Sequence, residues 1–354
     1  MDTKKLLDSI TTTEMHGLVG FDGFIDELYG LVKERDSEQD YKALKQMGEF
    51  ADMVQNAVGK SANFEIIQKE VKAGGNGPIM ANSLINLGLG LSYGGALGHP
   101  DIHPAFQDFS QLCSEVASVC DPARTMALEF NEGKLMLCQL NDLYQINRDK
   151  FRHFLSKHVS SAEFFCFLNW TELPNLNGIY ELIVELLEAQ KEILKRPCFI
   201  DLADFKRRSK SDLGYALELI KKMSAYLNIH LGLNWSEAQQ LAQHLFADQD
   251  FSEHSLSDLA ELLQNQLKLQ AVCVHSHHQV AACDEKSYTV ETLHVAEPKI
   301  STGAGDHFNA GYFRAVLEGL GLEQCLQLGV LNSAYYVSTG KTPGLTDLRT
   351  FTHH

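Results

Sequence analysis

The chain reads as an α/β fold, a mostly parallel sheet flanked by helices with a small β lid. Three features of the sequence predict it. From about residue 160 onward, short apolar runs alternate with amphipathic stretches, the pattern of βα units feeding a parallel sheet. Two glycine-rich turns, at 73–78 and 302–305, each run straight into a helical pattern. Two segments, about 27–72 and 124–146, break the alternation and are too short to form cores of their own, so they are expected to pack together over the carboxyl edge of the sheet.

The elements follow in order. A first strand at 16–21 ends on Asp22, and region 27–72 carries a polar helical insertion at 37–58. After Gly74-Gly75, Pro78 suits the first turn of a helix and Gly88 suits its C-terminal cap. A strand covers 91–97. Residues 126–130 and 134–140 flank Asn131-Glu132-Gly133 as a hairpin. Buried-looking strands at 164–169, 198–202, 229–233 and 271–275 alternate with helices at 178–195, 211–225, 236–246 and 256–268. Residues 278–295 form a strand or hairpin. Phe308, Tyr312, Val316 and Leu320 recur at helical spacing, and a last helix at 323–339 ends at Gly340, with Pro343 beyond it. No repeat or low-complexity linker divides residues 1–354, so one domain with an appended lid is expected.

Composition narrows the function classes. With 30 basic against 46 acidic residues the net charge is −16, which disfavours non-specific nucleic-acid or anionic-membrane binding. A polyanionic ligand such as a nucleotide would need a local site and a divalent cation. No run of about eighteen apolar residues is present, and the start, Met-Asp-Thr-Lys-Lys-Leu-Leu-Asp, lacks the features of a signal peptide, so a soluble, cytoplasmic protein is expected. The eight cysteines form no CxxC pair and are expected as buried, reduced thiols.

The residues with chemical potential lie at the glycine turns and strand ends. Gly303 and Gly305, lacking Cβ, let an anion approach backbone N–H groups at a helix N-terminus. Asp306 beside such an anion suits a proton acceptor for an attacking hydroxyl, although capping of the helix dipole would explain it too. Asp22 and Asp26 follow the first strand; Asp22 reads as a surface acid, and Asp26 as an acceptor for polyol hydroxyls. Asn234 and Glu237 suit either a helix cap or the ordering of water around magnesium. Gly340-Lys341-Thr342 is no P-loop, since Tyr335 replaces the required glycine, and Gly88-Leu-Gly90 has Tyr93 where a dinucleotide fingerprint needs its third glycine. Strand alternation would split Cys273, His275, His277 and His278 between two faces, against a metal site there. His353 and His354 read as tail residues.

Gly74-Gly75 leading to Ala81, Leu84 and Leu87-Gly88, then Asn234-x-x-Glu237, then Gly303-Ala304-Gly305-Asp306, resemble in order and spacing the ribokinase-like, PfkB-type carbohydrate kinase family, over about residues 16–340. The resemblance implies a doubly wound sheet and transfer of the γ-phosphoryl group of ATP, with Mg2+, to a hydroxyl of a small sugar, polyol or nucleoside. It makes Asp306 the base and the N–H groups of Gly303, Ala304 and Gly305 an anion hole. It places Asp22, Asp26, Gly74, Gly75 and Asn76 on the acceptor, Asn234, Thr302, Gly303, Gly305 and Asn332 on the nucleotide, and Asn234 and Glu237 on magnesium through water.

Three positions depart from the family pattern. Ile300 replaces an Asp that often helps build a monovalent-cation site, which argues against potassium activation. Ile79 replaces a sugar-contacting Asn, with Asn76 nearby, and His275-Ser276-His277 replaces a Thr-x-Gly. A catalytically silent binding or regulatory protein of the same fold, and an ADP-dependent sugar kinase, stay open as alternatives. Exposed strand edges in the lid allow a homodimer.

Overall fold

The structure is a computed structural model that describes residues 3–11, 15–190, 194–247 and 249–351; His353 and His354 lie outside the described residues. In chain order the strands are β1 (His16–Gly20), β2 (Phe24–Arg35), β3 (Tyr41–Leu44), β4 (Ile66–Gly74), β5 (Gly90–Gly95), β6 (Glu115–Ser118), β7 (Ala123–Phe130) and β8 (Gly133–Gln139). They continue with β9 (Phe164–Leu168), β10 (Arg196–Asp201), β11 (Leu227–Asn234), β12 (Ala271–His275), β13 (Gln279–Cys283) and β14 (Ser287–Glu291).

Hydrophobic alternation along the strands builds the layers. In β9, Phe165 and Phe167 enter one apolar cluster while Phe164, Cys166 and Leu168 enter the other. A strand apolar on both faces is stable only in a sheet covered on both sides. Helices Leu176–Glu188, Lys210–Met223 and Leu256–Leu267 close one face, and Asn76–Asn86, Ala304–Leu317 and Leu322–Thr339 close the other. The main sheet runs β14-β13-β12-β11-β10-β9-β1-β5-β6, parallel from β6 through β12, with β13 and β14 as an antiparallel hairpin at one edge. The order of addition reverses at β1, which lies between β5 and β9, so ligands are expected beyond its carboxyl end.

A second, small sheet, β3-β2-β7-β8 with β4 also paired to β2, bears out the expected small β lid beside the main sheet. Two corrections apply within it. Residues 37–58 are not one helix: β3 pairs antiparallel with β2, Leu31 opposite Leu44, and only Met47–Asn56 is helical. Sheet pairing and burial of Leu44 outweigh helix propensity there. The small sheet also has an apolar cluster of its own, Leu31, Leu44, Leu128 and Phe130, with Phe50 and Phe64 packed against it. Among the cysteines, Cys138 on β8 is exposed rather than buried, because it lies on an edge strand. No helix among the described residues is long and apolar enough to cross a membrane.

Helices Ala304–Leu317 and Leu322–Thr339 meet at Gly311. A Cβ there would lie 2.6 Å from the Leu328 carbonyl oxygen and 2.8 Å from Asn332 Cβ. Neither neighbour can swing away, so Gly311→Ala should cost about 1–3 kcal/mol through overpacking. The urea midpoint should drop accordingly; an unchanged midpoint would mean that the two helices part without cost.

Candidate active site

The site grows from the end of β1. Asp22 is fully buried, which corrects its reading as a surface acid. Its carboxylate accepts the N–H groups of Asn76 (3.0 Å) and Gly77 (2.8 Å) and the Asn169 side-chain amide (2.6 Å), while its carbonyl accepts the Tyr93 hydroxyl (2.7 Å). Burial pushes this carboxyl up to about 6 against those donors. The contacts explain the glycines. Gly75 caps helix Asn76–Asn86 at φ 98°, and a Cβ on Gly77 would lie 2.5 Å from Asp22 Oδ1. Asp26, on β2, stands over Gly74, where a Cβ would lie 2.5 Å from its Oδ2. Burial raises the Asp26 carboxyl, opposed by Lys72 and the Thr125 hydroxyl on the flanking strands.

The second turn brings Asp306 to the same place. Gly303 caps helix Ala304–Leu317 in the left-handed region, φ 87°, and Asp306 falls in the first turn. Burial raises the Asp306 carboxyl well above the carboxylate range; Asp201 and Asp22 push it further, and a hydrogen bond with the Asn76 side chain opposes them. The amides of Gly303 and Gly305 find no acceptor among the described residues, whereas Ala304 N–H turns back to the Ser301 carbonyl (3.2 Å). Ile79 packs 3.5 Å from where a Gly303 Cβ would be, and the His275 ring lies 3.3 Å from the same point on Gly305. Burial lowers His275 to about 4, and its ring rests on Phe308.

Asn234 and Glu237 form a reciprocal capping box. Asn234 Oδ1 accepts Glu237 N–H (2.9 Å), and Glu237 Oε2 accepts Asn234 N–H (2.8 Å). Glu237 is nonetheless more than a cap, because burial and then Asp201 push its carboxyl up to about 8. Asp201, the last residue of β10, accepts Ala203 N–H (2.8 Å) and the Asn309 amide (2.9 Å), and burial pushes it up to about 6. Asp201, Asn169 and Asn309 are the site residues that motif reading missed. Asp201 alone carried a signal, a carboxylate at the end of a buried strand, the same signal that drew attention to Asp22.

Two candidates stand apart from this cluster. Asn332 is fully buried, its amide spent on Ser83 Oγ (3.0 Å) and the His307 carbonyl (2.6 Å), so it joins three helices. Thr302 is exposed, just before Gly303, with its carbonyl accepting the Tyr336 hydroxyl (3.1 Å). Among the described residues no three His, Cys, Asp or Glu side chains are grouped so as to hold a metal directly.

Carboxylates gathered at the strand ends of a doubly wound sheet, with a small sheet alongside and an aspartate on a glycine-capped helix, place the molecule among the ribokinase-like, PfkB-type carbohydrate kinases, phosphotransferases with an alcohol acceptor. Within them the chain belongs to the prokaryotic ketohexokinase family, whose model matches residues 4–354. It is 28% identical over 351 residues to a ketohexokinase of Haloferax volcanii, covering 94% of this chain and 90% of the relative. Its fold is similar to that of a ribokinase from Thermotoga maritima (TM-score 0.65, 16% identity, 95% of this chain and 98% of that one). A ribokinase from Cryptococcus neoformans var. grubii serotype A in complex with ADP is similar as well (TM-score 0.66, 13% identity, 95% and 99%).

The buried carboxyls set a pH dependence of stability. Asp22 and Asp201 at about 6, and Glu237 at about 8, lie above the ordinary 3.8 and 4.5, so folding favours their protonated forms. The stability they contribute is present below the ordinary values and is lost as pH rises through the raised ones. The melting temperature of the ligand-free protein should therefore fall between about pH 5 and about pH 8.5. Glu237→Gln, which keeps the capping geometry, should flatten the upper part of that fall; the same slope in the variant would remove Glu237 as its source.

Proposed function

We propose that this protein phosphorylates a ketohexose with ATP as donor and Asp306 as base. The carrying observation is Asp306, a half-buried residue in the first turn of a glycine-capped helix, its carboxyl held by Asn76 among carboxylates that raise its proton affinity. Membership in the prokaryotic ketohexokinase family and the named Haloferax relative support the ketohexose.

The residues account for each event. Ionised Asp306 takes the proton of the acceptor hydroxyl as its oxygen bonds to the γ-phosphorus, and the bond from that phosphorus to the bridging oxygen breaks, its electron pair leaving with ADP. The unengaged amides of Gly303 and Gly305 and the positive end of their helix stabilise charge on the phosphoryl oxygens. Ala304 N–H, bonded to Ser301, contributes to that hole only if the turn opens. Asp26 accepts sugar hydroxyls over the bare Gly74, with Gly75 and Asn76 beside it. Asp22 serves the acceptor indirectly by holding those residues in place.

The donor set fits magnesium. Asp201 raises the proton affinity of both Glu237 and Asp306, Glu237 adds to that of Asp306, and Lys206 opposes the rise at Glu237. Glu237 and Asn234, with Asp201, would hold the ion through water, and when bound it neutralises charge on the phosphate chain. The small sheet, closing over this edge, excludes water that would otherwise hydrolyse ATP.

Asp306→Asn should lower kcat by about a hundred- to ten-thousand-fold, the usual contribution of a positioned base. Nucleotide binding by calorimetry should survive. Full turnover in the variant, measured over ketohexoses, aldoses and nucleosides with ATP and ADP compared as donors, would remove Asp306 as the base. Because its carboxyl is raised, kcat/KM should begin to fall at a higher pH than an ordinary carboxylate near 4 would give. A pH–rate profile that stays flat down to about pH 5 would contradict this.

A further inference from the structure

The turn at Gly303 is held from behind by three side chains that have no part in the scheme above. His307, buried one helical turn along, places Nδ1 2.8 Å from the Gly303 carbonyl oxygen. A carbonyl only accepts, so Nδ1 carries the proton and Nε2 is an acceptor. Nε2 lies 3.0 Å from Thr342 Oγ1, which therefore donates to it, and Thr342 Oγ1 in turn takes the Asn82 side-chain amide (3.4 Å). The hydrogen bonds thus run in one direction, from Asn82 through Thr342 and His307 to the Gly303 carbonyl. Tyr336 stacks on the His307 ring, centroids 3.6 Å apart at 13°, and its hydroxyl donates to the Thr302 carbonyl (3.1 Å). Burial lowers His307 to about 4 and raises Tyr336 to about 12, in keeping with a neutral imidazole and a protonated phenol.

These contacts act on peptide planes. The peptide unit is planar and trans, so its C=O and N–H point in opposite directions. Tyr336, holding the Thr302 carbonyl, fixes where Gly303 N–H points; the His307 ring joins its own backbone N–H (3.1 Å) on the Gly303 carbonyl, which keeps Ala304 N–H turned back to Ser301 and so holds the turn in the shape that leaves Gly303 and Gly305 N–H unengaged among the described residues. Gly303, at φ 87° and without a side chain, has little steric preference of its own to do this. We propose that His307, Tyr336 and Thr342 are positioning residues that aim the phosphate-binding amides of the Gly303 turn. The role rests on the kinase reading of that turn, and it uses Gly340-Lys341-Thr342 as a support for the anion site rather than as a P-loop.

Four variants test it by steady-state kinetics with ATP and a ketohexose. His307→Phe keeps the ring against Tyr336 but loses both hydrogen bonds, and Tyr336→Phe keeps the stack but frees the Thr302 carbonyl. Each should lower kcat by about ten- to a hundred-fold, the scale of small misplacements at a reacting centre, with the sugar KM nearly unchanged. His307→Gln, whose amide can still reach the Gly303 carbonyl, should recover most of the rate. Thr342→Val should lower kcat less than His307→Phe and add nothing to it in the double variant, since both break one chain. Parent kcat in both Thr342→Val and Tyr336→Phe overturns the proposal even if His307→Phe does not fold.

A second measurement needs no turnover. Backbone-amide NMR signals of Gly303 and Gly305 should shift with inorganic phosphate in the parent protein, respond weakly or not at all in Tyr336→Phe and His307→Phe, and respond nearly as in the parent in His307→Gln. A parent protein inert toward ketohexoses but with these amide responses would sink the ketohexose reading and leave the brace standing. An active parent whose variants keep full rate and full amide response would do the reverse.

Discussion

The site depends on one buried carboxylate without a cation. Asp22 sits at the end of β1, fully buried, and its carboxylate is held by N–H donors from Asn76, Gly77 and Asn169, with the Tyr93 hydroxyl 3.5 Å away. An ionised carboxylate out of water is costly unless such donors surround it, and the start of a helix supplies them together with a favourable dipole. Asp22 therefore binds the end of the central strand to helix Asn76–Asn86 and to the residue that follows β9. Gly77 is glycine because this closeness leaves no room for a Cβ, and Gly75 because its φ of 98° suits a residue without one. The same bond brings the Asn76 side chain beside Asp306.

The two glycine turns, alike in sequence, are consequently put to opposite uses. At the first, the anion position at the helix start is filled from within by Asp22. At the second, the amides of Gly303 and Gly305 have no partner among the described residues, and Asp306, the half-buried acid of that turn, stands among other acids. Asp201 and Glu237 add charge that burial already disfavours. In a protein with net charge −16, that local gathering of carboxylates supports the proposed cation-assisted phosphate site.

Legibility followed burial. Strands β9 to β12 could be read because a strand covered on both faces is a short continuous apolar run, and the helices between them carry a clear stripe. In the small sheet, β2 and β4 carry Glu27 and Lys72 on half-buried positions and Lys33, Glu34 and Lys69 on exposed ones, which blurs the period of two, so their extent and the pairing of β3 were not legible. The three motifs were legible because each needs particular residues a few positions apart. Asp201, Asn169 and Asn309 were not, since what unites them is adjacency across strand ends. Asn332, for which a nucleotide role was expected, is enclosed between helices, its amide on Ser83 Oγ and the His307 carbonyl.

Local patterns in the chain sufficed for the α/β class, the glycine turns with their helices and the aspartate at the second turn, since hydrophobic period, capping and positive φ are demands made within a few residues. Which turn is closed by Asp22 and which is open, which carboxylates neighbour Asp306, and how His307 and Tyr336 hold the Gly303 turn were decided only by the packed structure. Those relations join residues far apart in sequence, Asp22 to Asn169 and Asp201 to Asn309. Proton affinity and amide direction follow from what folding brings within a few ångströms, which no local pattern encodes.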